Sequence, residues 1–148
     1  MDTTRIDLEL TSEPATDDIR ALEEGLESFS RSKTTGMDRT KVPIAVWMRR
    51  EGCLLGGAYG DTHSGWLYLS LLWVDESLRG QGWGKKLLER FEAEATARDC
   101  HAAWVDTYGF QAPGFYEKLG YREFGRLDNF LPASHDCSTG SLFRRRSS

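Results

Sequence analysis

The chain is poor in the residues that staple or punctuate a fold. Its 148 residues include 3 cysteines and 4 prolines, and no cysteine pair has CxxC spacing. An odd count without that spacing reads as free thiols, neither a disulfide framework nor a zinc site. Histidine is equally scarce: His63, His101 and His135 form no HExxH pattern, so no metal is expected. Long apolar runs are missing too. The longest, around Trp66 to Val74, is interrupted by Ser70 and falls far short of the about 20 residues that cross a bilayer, so no membrane span is expected. The opening residues Met1-Asp2-Thr3-Thr4-Arg5 lack a basic patch followed by an apolar stretch. No secretory leader is read, and the cytoplasm is the expected address. Positive charge is not in excess either: 19 Lys and Arg against 23 Asp and Glu leave a net charge of −4. That balance argues against nucleic acid as the partner and suits a neutral or cationic small molecule.

What is present is ordinary globular material, 39% hydrophobic and 28% charged, in a length that fits one domain over residues 1–148. Ile6, Leu8 and Leu10 alternate with Arg5, Asp7 and Glu9, the period of a half-buried first strand. Thr16 can cap a helix carrying Asp17 and Asp18 in its first turn and Ile19, Leu22, Leu26 and Phe29 on one face. A polar stretch from Ser30 to Pro43 reads as a loop or broken helix. Ile44 to Met48, the turn Arg50-Glu51-Gly52 and Cys53 to Tyr59 read as a hairpin. Trp66 to Val74 is almost continuously apolar and is expected to be a central strand. Further on, Ala102 to Thr107 reads as a strand, Ala112 to Leu119 as a short helix ended by Gly120, and Tyr121 to Arg126 as a strand. The tail after about residue 132 is weakly patterned until Leu142-Phe143, and Arg144-Arg145-Arg146 reads as a solvated basic end.

The segment Arg79-Gly80-Gln81-Gly82-Trp83-Gly84 opens a helix in which Trp83, Leu87, Leu88, Phe91 and Ala95 share a face. Strand, glycine turn and helix together hold phosphate: glycine lets the backbone come close, and the unpaired N–H groups at the helix start attract an anion. The spacing matches neither GxxxxGK[ST] nor GxGxxG, which weakens both nucleotide readings. By themselves the glycines fit a tight packing turn equally well.

Leu72-Trp73-Val74, then Arg79-x-x-Gly82-x-Gly84, then Phe115-Tyr116-Glu117-Lys118-Leu119-Gly120-Tyr121, in this order, resemble the GNAT superfamily of acyl-CoA-dependent N-acetyltransferases. The resemblance implies a single α/β domain: a mixed, mostly antiparallel, twisted sheet flanked by helices. The cofactor would enter where Trp66 to Val74 and Ala102 to Thr107 part. It implies acetyl-CoA as cosubstrate, its pyrophosphate cradled by the backbone of Arg79, Gly80, Gln81, Gly82, Trp83 and Gly84 with Lys85. Leu72, Trp73 and Val74 would line the pantetheine, with Leu72 and Val74 pairing through their backbone. Trp83 stands where the family commonly has a small or aliphatic residue, and its place on the apolar face favours core packing. Lys86 reads equally as a solvated helix-surface lysine.

Tyr116 matches the family's general acid, and a phenol protonated at neutral pH suits delivery of a proton to a departing thiolate. Val74 N–H matches the oxyanion donor. The general base has no single candidate: Asp106, Asp128, Glu23, Glu24 and Glu27 could each bind a cationic amine or deprotonate it through water, but each reads better as a surface carboxylate. Gly109 departs from the asparagine often found three residues before the alanine matched by Ala112; Gln111 could supply that contact, and Phe110 could pack on the pantetheine or fill the core. No cysteine is placed as an acyl carrier, so the expected reaction is direct acetyl transfer to a primary amine in a ternary complex. The expected acceptor is a small cationic molecule, the alternatives being a protein amine or an acyl-CoA sensor without turnover. Homodimers are common in the family, though no residue here requires one.

Overall fold

The computed structural model describes residues 5–108, 113–128 and 139–145. Its contacts divide the chain into two units, residues 1–37 and 38–148. The first holds one helix, α1 (Thr16–Lys33), with Asp17 and Asp18 in its first turn and Arg31 and Lys33 in its last, both matched to the helix dipole. Thr16 is not the cap. It is already helical, and Ala15 precedes it without a side-chain hydrogen bond. The stripe of Ile19, Leu22, Leu26 and Phe29 does share a face, but no residue of α1 is buried. The expected first strand is absent as well: Ile6, Leu8 and Leu10 join no described ladder and are 88%, 99% and 99% exposed. A period of two shows which side chains share a face, but it does not supply a neighbouring strand for the backbone.

The second unit is built on a six-stranded sheet. Its strands are β1 (Val42–Arg50), β2 (Cys53–His63), β3 (Trp66–Val74), β4 (Ala102–Tyr108), β5 (Arg122–Leu127) and β6 (Thr139–Arg145). Their spatial order is β1-β2-β3-β4-β6-β5, and β3–β4 is the one parallel pairing. Two tight hairpins make the first half, turned at Glu51-Gly52 and Ser64-Gly65, where all four residues have positive φ. That geometry matches the twist of antiparallel strands. The parallel step needs a crossover, and α2 (Trp83–Ala97) provides it. α2 packs Leu88, Phe91 and Ala95 into a core with Leu67, Leu69, Val105 and Leu142. Arg98, just past its C-terminal end, donates to the carbonyls of Val42 and Pro43 at 3.3 and 3.1 Å and to Thr62 Oγ1 at 3.2 Å, fixing that end to β1 and β2.

The second half closes differently from the order of the chain. β6, drawn from the weakly patterned tail, lies between β4 and β5 and pairs antiparallel with both. α3 (Pro113–Lys118) precedes β5, and the turn after it contains Gly120, whose φ of +89° lets the Tyr121 N–H return to the Tyr116 carbonyl at 3.0 Å.

One irregularity positions everything that follows. β2 and β3 slip register where Tyr59 faces Leu71 and Gly60 faces Leu69, leaving Ser70 as the extra residue of a bulge. Gly60 makes this possible: a Cβ there would lie 1.8 Å from the Tyr68 carbonyl oxygen. A bulge bends its strand, and β3 runs alongside β4 only from Trp66↔Ala102 to Leu69↔Val105. Beyond that rung β3 continues to Val74 and β4 to Tyr108 as unpaired neighbours.

Candidate active site

The glycine turn sits at the start of α2. A 3-10 turn, Glu76–Leu78, leads into it, capped by Asp75, whose carboxylate accepts from the Ser77 amide at 3.0 Å and from the Ser77 hydroxyl. Those bonds hold the Asp75 carboxyl below its ordinary pKa. Gly80 and Gly82 then adopt φ of +74° and +83°, values that suit glycine, and Gly82 is the N-cap of α2. The result is a run of six amides, Gly80 to Lys85, that find no acceptor among the described residues. The Arg79 amide is not one of them, because it donates to the Glu76 carbonyl at 3.3 Å. A Cβ at Gly80 or Gly82 would meet no atom within 4 Å. This arrangement fits a diphosphate, which would accept from the amides at the positive end of the helix dipole.

The side chains around the turn serve mainly to hold it. Arg79 Nε donates to the Val74 carbonyl at 3.0 Å, tying the turn to the end of β3. Gln81 reaches the Ser77 carbonyl at 3.5 Å. Trp83, expected in the core, is only half-buried, and Lys86 Nζ lies over its ring at 4.5 Å from the centroid. Lys85 pairs with Glu89 at 3.8 Å on the exposed side. Gly84 faces α3: a Cβ there would touch the Phe115 ring at 3.4 Å.

Leu72, Trp73 and Val74 occupy the end of β3 that β4 does not accompany. Backbone direction alternates along a strand, and Asp75 N–H points to β2, donating to the Leu55 carbonyl at 2.8 Å. Val74 and Leu72 therefore turn their N–H and C=O groups the other way, toward the opening beside β4. The Arg79 bond to the Val74 carbonyl on that side agrees. Trp73 faces β2 with its backbone, and its side chain is half-exposed.

Tyr116 follows Phe115 on α3 and is 7% exposed. It belongs to the same cluster as Leu69 and Val105, against which Leu72 packs, and its ring meets Tyr121 edge-on at 5.7 Å. Its hydroxyl makes no hydrogen bond to a described residue, and burial pushes its pKa up to about 12. The phenol is thus held protonated across the physiological range.

The carboxylates separate. Asp106 lies on β4 one residue beyond the last rung shared with β3. Asp128 is exposed after β5, with β6 between it and β4. Glu23, Glu24 and Glu27 are exposed on α1 in the other unit. Gly109, Phe110, Gln111, Ala112 and Cys137 lie outside the described residues. Cys53 is exposed and Cys100 buried. Among the described residues no cluster suits a metal ion, and no helix is long and apolar enough to cross a membrane. Gly60, which accommodates the bulge, is the residue that pattern reading missed; a glycine inside an apolar strand is its only signal.

Residues 8–121 match the acetyltransferase (GNAT) family. A blasticidin-S acetyltransferase of Streptomyces morookaense is 44% identical over 84 residues, which is 55% of this chain and 60% of that protein. An acetyltransferase of Agrobacterium fabrum is 34% identical over 108 residues, 73% of this chain and 78% of the relative. Among solved structures, an acetyltransferase from Bacillus cereus superposes with a TM-score of 0.84 at 26% identity, over 93% of this chain and 98% of the other. Sequence, sheet topology and glycine turn agree: the chain belongs to the GNAT acetyltransferase family.

Proposed function

We propose that this chain transfers an acetyl group from acetyl-CoA to a primary amine of a small cationic molecule, by direct attack within a ternary complex. The observation that carries the reading is the run of unpaired amides from Gly80 to Lys85 beside the unpaired end of β3. The amides hold the diphosphate. Leu72 and Val74 offer backbone groups to the pantetheine amides, as one strand offers them to another. Bound acetyl-CoA supplies the acetyl group as an activated thioester.

Val74 N–H stabilises the negative charge that builds on the acyl oxygen. The amine nitrogen bonds to the acyl carbon as the C–S bond breaks; the nitrogen gives up its proton to solvent, and Tyr116 delivers its own to the departing sulfur. Water then reprotonates the phenolate. The likeness to a blasticidin-S acetyltransferase favours a small acceptor over a protein amine, and a net charge of −4 favours a cationic one.

The test is thiol release from acetyl-CoA over a panel of amines, with acetyl-CoA binding followed separately by thermal shift. Wild type is expected to bind acetyl-CoA and to release thiol only with an acceptor. Tyr116→Phe should bind equally and turn over about 10²-fold to 10⁴-fold more slowly, the usual worth of a positioned acid. Binding without turnover on any amine, indifferent to Tyr116→Phe, would mean an acyl-CoA sensor.

A further inference from the structure

Two apolar surfaces remain exposed in the single chain. The first is the face of the sheet away from α2. Ile44, Ala58 and Leu67 point into the core with Leu72 packed against it, so strand alternation puts Trp47, Tyr59, Leu71 and Trp73 on the opposite face. Register joins them into one patch: Ala45, Tyr59 and Leu71 lie side by side across β1, β2 and β3, and Trp47, Gly57 and Trp73 form the next row. The Trp47 ring leans over Gly57, where a Cβ would come within 2.9 Å of it. The four large side chains are between 42% and 63% exposed. The second surface is the stripe of α1, where Ile19, Leu22, Leu26 and Phe29 are between 43% and 76% exposed. An amphipathic helix takes most of its stability from what lies under its stripe, and here that is solvent.

Size and charge say what covers them. Aromatic side chains bury roughly 150–250 Å² each, so at these exposures each surface offers on the order of 400 Å². Either alone is about half of the roughly 800 Å² per partner that stable association uses; the two together reach it. At 3.6 residues per turn, Asp18 and Glu23 flank the stripe of α1, one on each side, and neither has an ion pair among the described residues. Arg49 continues the outward row of Ala45 and Trp47 on β1, and among the described residues its bond is to the Gly52 carbonyl at 3.4 Å, with no carboxylate partner. An acidic rim thus borders one apolar surface and a basic one the other. Each copy carries both surfaces, so a two-fold exchange covers all four and closes, whereas a one-way contact would leave two bare. We propose that two copies of this chain exchange α1, the stripe of each lying on the Trp47, Tyr59, Leu71 and Trp73 face of the other. The exchange does not depend on the acetyl-transfer reading.

The experiment is sedimentation equilibrium over a concentration series, with circular dichroism showing that each variant is folded. Wild type should be a dimer. Leu22→Glu on the stripe and Trp47→Glu on the sheet should each raise the dimer dissociation constant about tenfold or more, as loss of a central apolar contact does. Ser28→Glu, the same charge on the side of α1 opposite the stripe, should leave it in place. Should Trp47→Glu unfold the chain, Tyr59→Glu reads the same face. Mixing distinguishes exchange from a dimer that joins like surfaces. Leu22→Glu mixed with Trp47→Glu should associate more tightly than either alone, because one pairing then joins a sound stripe to a sound face. The double variant mixed with wild type should form no mixed dimer, since each pairing then carries one fault. A wild type that stays monomeric, a dimer indifferent to both single variants, or a mixture no more associated than its components overturns the exchange.

Discussion

From Trp66 to Leu69, β3 is hydrogen-bonded along both edges; from Leu71 to Val74 it is accompanied on one. The two stretches belong to one nine-residue apolar strand, and composition does not tell them apart. The first buries Leu67 and Leu69 and builds the core. The second exposes Leu71 and half-exposes Trp73, and turns the Leu72 and Val74 amides toward an opening, with the Val74 carbonyl held by Arg79. A strand edge with free N–H and C=O groups can accept another extended chain, and in the function proposed above that edge takes the pantetheine arm. The lesson is local: one bulge at Ser70 divides a half paired along both edges from a half paired along one, the half that the proposed function uses for binding.

Disturbing each half in turn sharpens the contrast. The largest effect is expected in the paired half. Leu67→Ala removes a side chain 1% exposed and should cost about 2–5 kcal/mol in denaturant unfolding, while the protein that remains folded binds acetyl-CoA as wild type does. Gly60→Ala attacks the divide itself. Its Cβ would overlap the Tyr68 carbonyl, and a loss of roughly 3 kcal/mol is expected together with weaker acetyl-CoA binding, since the bend must shift.

Alkaline pH probes the group beside the opening. Tyr116 has a folded pKa of about 12 against an ordinary value near 10, so its contribution is fully present below pH 10 and is lost as pH rises toward 12. Between those limits wild type should lose about 2–3 kcal/mol more than Tyr116→Phe, read from paired unfolding curves. The smallest change is confined to the binding half's neighbour. Gly82→Asp places a negative charge at the helix start, where asparagine and aspartate tolerate positive φ. It should weaken acetyl-CoA binding about tenfold with little change in melting temperature.

Much of this was legible in the residues and some was not, for identifiable reasons. The strand Trp66 to Val74 has the bounds its apolar run indicates, and Ala102 to Thr107 and the helix beginning at Trp83 are where their periods put them. Glycine spacing located the turn because the φ values there leave little choice of residue. The failures involve partners. Ile6 to Leu10 alternates like a strand and joins none, whereas Thr139–Arg145, with Leu142 as its evident core residue, becomes one because β4 and β5 flank it. Local pattern records which side chains share a face; burial and pairing depend on neighbours distant in sequence. The site shows the same limit. Tyr116 was nameable from a motif, but the close approach that Gly60 accommodates and the rung at which β3 and β4 part are matters of register between strands, which no local pattern carries.

The central claim is that unpaired amides at two places, the turn before α2 and the end of β3, grip one ligand. The direct measurement is a titration of the 15N-labelled protein with acetyl-CoA, following backbone amide shifts residue by residue. The account predicts that Gly80, Gly82, Gly84, Lys85 and Val74 move most, with Leu67 and Leu69 nearly still. Shifts concentrated elsewhere, with the turn amides unmoved at saturation, would contradict it.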